Sequence, residues 1–116
     1  MSFQYDFSQL DGATAVRLSG RLDSATASGF EKPLQDLFNQ PASRVLMDFS
    51  ALDYISSAGL RVVLMAAKRA KQSQGALVLC SLQQQVRDVF EISGFLRILD
   101  VADDSSAALN QLRART

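Results

Sequence analysis

The chain has no histidine among its 116 residues. That removes the commonest general base, the Ser-His-Asp triad and the familiar histidine-containing zinc sites. A single cysteine, Cys80, excludes an internal disulfide framework. It closes the apolar run Ala76-Leu77-Val78-Leu79-Cys80 and reads as a small core residue. Neither a P-loop nor G-x-G-x-x-G occurs, so no glycine-rich phosphate cradle is written. No run approaches the roughly 20 apolar residues of a membrane-spanning helix. The opening residues Met1-Ser2-Phe3-Gln4-Tyr5-Asp6 lack the basic start and apolar core of a secretion signal, so a cytoplasmic location is expected. Net charge is absent too, with 12 basic residues against 12 acidic ones. General binding to nucleic acid or an anionic membrane calls for a basic surplus or stripe. Lys68-Arg69-Ala70-Lys71 reads instead as the solvated face of a helix. No cofactor, metal, nucleic-acid partner or membrane insertion is expected.

What remains suits an ordinary soluble globular protein, with 47 % hydrophobic and 21 % charged residues. The length fits one domain over residues 1–116. Phe3, Tyr5 and Phe7 alternate with polar neighbours as in a half-buried strand. Asp11-Gly12 signals a turn into a second strand, Thr14–Leu18, and the pair predicts an antiparallel hairpin. Gly20-Arg21-Leu22-Asp23 is expected to break that strand and turn the chain. Phe30, Leu34, Leu37 and Phe38 then lie at helical spacing. Pro33 either starts this helix or kinks a longer one from about Thr26, and the longer helix is preferred. Arg44–Phe49 predicts an interior third strand ending in a polar turn.

Leu60, Val63, Leu64, Ala67 and Ala70 mark a second helix stopping near Gly75, and Ala76–Cys80 a fourth strand. Val86, Val89 and Phe90 belong to a third helix closed by Ser93-Gly94. Ile98-Leu99 is expected as a short edge strand, and Asp103-Asp104 as the cap of a terminal helix. The order predicts an α/β fold: a mixed, mostly parallel sheet of four to five strands covered by about four helices.

The pivot is Asp48-Phe49-Ser50 through Ile55-Ser56-Ser57-Ala58-Gly59-Leu60, where a strand gives way to a helix. Sites in open α/β sheets gather where strands end and helices begin. The first turn of a helix has amides without internal partners and favours negative charge. A serine there either caps the helix or carries a phosphate that the helix end tolerates.

Three segments, in this order and spacing, resemble the STAS family, which includes the anti-sigma-factor antagonists of bacteria. They are Gly20-Arg21-Leu22-Asp23, the pivot itself, and Phe90-Glu91-Ile92-Ser93-Gly94-Phe95. The resemblance runs from about Val16 to Leu99. It implies that Ser57 accepts phosphate from an anti-sigma-factor serine/threonine kinase, with Ser56 as the alternative acceptor. Ser56 stands where the family often has aspartate, a substitution that related sequences carry too. Asp23, Ser56, Ser57, Ala58, Gly59, Leu60 and Arg61 would meet the partner. Asp23 reads equally as a helix cap; if it lines the site, its charge would repel a phosphate on Ser57. Gly59 reads either as a small residue for a tight first turn or as room for a docking partner.

The implied function is a phospho-switched binding module, not an enzyme. Unphosphorylated, it would bind the kinase and free a sigma factor; phosphorylation would release it and a phosphatase would reset it. A monomer is expected. A subunit or regulator of a membrane transporter is the alternative within the same family. A serine hydrolase using Ser57 with Lys68 as base is disfavoured, because eleven helical steps, a rise of roughly 16 Å, separate the two.

Overall fold

The computed structural model describes residues 3–114. Met1 and Ser2, at the head of the stretch read for a secretion signal, lie outside the described residues. Strands β1 (Gln4–Leu10) and β2 (Ala13–Leu22) form the expected hairpin. Asp11 and Gly12 both take positive φ, 51° and 82°, the geometry of a two-residue hairpin turn that follows strand twist. Helix α1 (Ser24–Asp36) leads to β3 (Arg44–Ile55), α2 (Ser57–Gln72) and β4 (Ala76–Cys80). Helix α3 (Gln84–Ile92), a 3-10 turn (Phe95–Arg97), β5 (Asp100–Ala102) and α4 (Ser105–Arg113) complete the chain. The fold is α/β: a five-stranded mixed sheet in the order β1-β2-β3-β4-β5, antiparallel only between β1 and β2.

Sequential parallel strands joined by crossovers of one hand place the connecting helices on one face. The buried residues divide accordingly. Phe30 and Leu34 of α1, Val63 and Ala66 of α2, and Val86 and Phe90 of α3 share a core with Val16, Met47 and Leu79. On the opposite face Ala108 and Leu112 of α4 cover Leu46, Val78 and Cys80. Burial pushes the Cys80 thiol up to about 11, so it stays protonated and unreactive at neutral pH.

Three expectations change. The glycine of Gly20-Arg21-Leu22-Asp23 does not end β2; the strand continues to Leu22, with Gly20 at φ +86° inside it. The turn expected after Phe49 is also strand, and β3 runs on to Ile55. Both changes have one cause. Between Arg17↔Asp48 and Ser19↔Ala51, and again between Gly20↔Leu52 and Arg21↔Tyr54, β3 carries one more residue than β2. Such bulges break the two-residue alternation. Phe49, Leu52 and Ile55 therefore all reach the same core at a spacing of three, leaving Ser50, Ala51, Asp53 and Tyr54 exposed. The last strand is Asp100–Ala102, not Ile98-Leu99; Ile98 follows the 3-10 turn and is 68 % exposed.

The longer first helix does form, with Pro33 inside it. Helix α2 stops where expected, but the left-handed residue is Gln74 at φ +62°. Gly75 is required for another reason: a Cβ there would collide with the Ser43 carbonyl. Gly94, at φ +77°, ends α3 in the left-handed conformation expected of a glycine cap.

Candidate functional site

The lengthened β2 and β3 finish side by side, and each hands over to a helix with one residue between. That residue is Asp23 for α1 and Ser56 for α2, and both are extended N-caps. The Ser56 amide donates to the Leu22 carbonyl at 2.9 Å, which fastens the start of α2 to the end of β2, next to Asp23. The sheet thus presents two adjacent helix N-termini at its carboxyl edge.

Asp23 forms a capping box. Its Oδ1 accepts from the Ala25 and Thr26 amides and the Thr26 hydroxyl, each at 3.1 Å, while its own amide donates to Thr26 Oγ1 at 3.0 Å. The Thr26 hydroxyl, then the Thr26 and Ala25 amides and the Arg21 charge, hold its carboxyl below the ordinary 3.8 against desolvation. A depressed carboxyl stabilises the fold above its unfolded pKa and loses that contribution as pH falls through the folded value. Asparagine caps as well but does not titrate. Asp23→Asn should therefore flatten the acid limb, below about pH 4, of a urea-stability profile against pH.

The two serines have different tasks. Ser56 is half-buried, and its Oγ accepts from the Gly59 amide at 3.2 Å. Ser57 is the first helical residue and is exposed. With the Ser56 and Gly59 amides engaged, those of Ser57 and Ala58 remain at the helix start without an acceptor inside the helix. Capping thus falls to Ser56. Ser56→Ala should lower stability by about 1 kcal/mol, and Ser57→Ala by less than about 0.5. Urea denaturation of the two variants checks this, and equal losses would refute the division.

The other residues of the pivot separate by exposure. Leu60 is buried, Ala58 packs against the core, and Arg61 faces solvent. Gly59 is buried, and a Cβ on it would lie 2.8 Å from Ile55 Cγ1 and 2.9 Å from both Leu22 Cγ and the Leu22 carbonyl oxygen. Its small size serves the seating of α2 on the strand ends. Of the expected contact residues, Ser57 and Arg61 are those exposed, with Asp23 half-buried beside them. Lys68 lies three turns along α2 from Ser57, so the serine hydrolase pair is not brought together.

Sequence reasoning missed the residues that complete the rim. Arg21 and Tyr54 are cross-strand partners, and the guanidinium lies 4.1 Å from the ring centroid. Gln83, the N-cap residue of α3, donates to the Ser50 and Leu52 carbonyls at 2.9 and 3.0 Å, holding the bulged part of β3. Neither contact could be found without knowing that β3 continues past Phe49.

The STAS domain family model matches residues 4–108, and the chain belongs to that family. A Bordetella bronchiseptica protein provisionally named anti-sigma factor antagonist BtrV is 50 % identical over 100 residues, covering 86 % of each chain. The anti-sigma F factor antagonist of Paenibacillus polymyxa is 26 % identical over 113 residues, 97 % of each chain. Among solved structures, the anti-sigma factor antagonist SpoIIAA in its unphosphorylated form superposes with a TM-score of 0.80. It covers 96 % of this chain and 97 % of its own, at 21 % identity, a likeness of fold.

Proposed function

We propose that this protein is an anti-sigma-factor antagonist working by binding, with Ser57 as its phosphorylation switch. Unphosphorylated, it engages a serine/threonine kinase that is also an anti-sigma factor, and a sigma factor is freed. Transfer of phosphate to Ser57 releases the complex, and a phosphatase restores the binding form. The protein is the kinase's substrate, acts in the cytoplasm and works as a monomer. Asp23, Ser56, Ser57 and Arg61 form the contact surface, while Ala58, Gly59 and Leu60 hold that surface on the sheet.

The observation that carries this reading is the unequal treatment of two neighbouring serines. One hydroxyl is tied into a cap, and the next stands exposed at a helix N-terminus where amides and dipole favour an anion. The relative at 50 % identity, named as an antagonist, supports it. Incubation with the cognate kinase and ATP tests it: one phosphate is expected, on Ser57, and none on the Ser57→Ala variant. Undiminished incorporation in that variant would move the site to Ser56. Fold alone does not separate this reading from a transporter regulator. Co-purification with permease subunits in place of a kinase would replace it.

A further inference from the structure

Farther along, α2 forms one wall of an open apolar trough. Leu64, Ala67, Lys68 and Lys71 line it from the helix, and Ile98 and Leu99 from the segment before β5. It holds about 420 Å³ of accessible space, and a smaller recess reaching Asp100 continues it inward. Ile98 stands 68 % exposed on its rim.

The occupant is constrained by shape and charge. The trough is open to solvent between α2 and the segment before β5. It suits a segment laid along it. Leu64, Lys68 and Lys71 follow one another at helical spacing on one stripe of α2, and the two lysines stand about 4.5 Å apart along the axis. Carboxylates one turn apart on a second helix match that separation. None of the four ion pairs of the described residues uses Lys68 or Lys71. Asp100, at the inner end, has interactions of its own.

We propose that this trough is a docking site for an acidic amphipathic helix of a protein partner. Aliphatic side chains of that helix pack on Leu64, Ala67, Ile98 and Leu99, and its Asp or Glu residues pair with Lys68 and Lys71. The site goes beyond the Ser57 switch and does not depend on phosphorylation.

The test is a titration of the isotope-labelled full chain, followed by amide NMR. The probes are a synthetic helical peptide of roughly 18 residues, about five turns, with leucines on one face and glutamates flanking them, its counterpart with lysine for glutamate, and dodecanoate. The acidic peptide should shift the amides of Leu64, Ala67, Lys68, Lys71, Ile98 and Leu99. The double variant Lys68→Glu, Lys71→Glu should weaken it about tenfold or more, and Ile98→Ser should weaken it without altering charge. These side chains are exposed, and the melting temperature of each variant confirms folding. Ser57→Ala should leave peptide affinity unchanged, which separates failure here from failure of the switch. The proposal is overturned if the peptide gives no localised shifts, if the lysine peptide binds equally well, or if dodecanoate alone binds.

Discussion

Gly59→Val should destabilise the fold by at least about 2 kcal/mol, a large part of the roughly 5–15 kcal/mol that holds a domain together. Even one carbon at this position lies under 3 Å from Ile55, from the Leu22 side chain and from the Leu22 carbonyl oxygen. The side chains can turn aside, but the carbonyl cannot, because it accepts the Ser56 amide that anchors α2. The helix must lift from the strand ends or the anchor must stretch. Gly29 supplies the control. It lies within α1, is exposed, and has nothing within 4 Å of its notional Cβ. There alanine should stabilise by roughly 0.5–1 kcal/mol, through helix propensity. Urea denaturation of Gly59→Val and Gly29→Ala reads both signs. A stabilised Gly59→Val protein would contradict the tight seating of α2.

How far the sequence carries differs between fold and site. Periodicity was sufficient wherever strands alternate regularly or helices keep one apolar face. The long helix through Pro33 is of this kind, while turn and cap chemistry gave the Asp11-Gly12 hairpin and the Gly94 cap, and an unbroken apolar run the interior strand Ala76–Cys80. Periodicity failed where β3 bulges. Spacing of three among Phe49, Leu52 and Ile55 matches neither a regular strand nor a full helical face, so the stretch read as a polar turn. That mistake hid the geometry of the site, because strand continuation brings Tyr54 under Arg21 and Ser56 to Leu22. The capping role of Asp23 was legible, since a short carboxylate before a helical pattern has a specific physical use. Which of two adjacent serines caps was not, because it turns on where the helix begins by a single residue.

The same geometry sets the second large effect, on binding. Phosphate on Ser57 adds roughly 1.5 to 2 negative charges at neutral pH. At a helix N-terminus such charge is favourable by about 0.3–1 kcal/mol, so the free protein has little cause to rearrange. The Asp23 carboxylate nearby opposes part of that gain, but it already accepts three hydrogen bonds of its capping box. In the centre of an interface the phosphate must lose water, and an uncompensated charge there costs roughly 2–5 kcal/mol, tens- to thousands-fold in affinity. On the proposed function, the switch would be local charge and bulk, not a change of fold.

One calorimetric comparison bears most directly on this account: binding of the proposed kinase partner to the unmodified chain and to the chain phosphorylated at Ser57, with a melting curve for each. The expected result is an affinity loss of at least about thirtyfold with a nearly unchanged melting temperature. Equal affinity of the two forms, or loss of affinity only through a large drop in melting temperature, would contradict it.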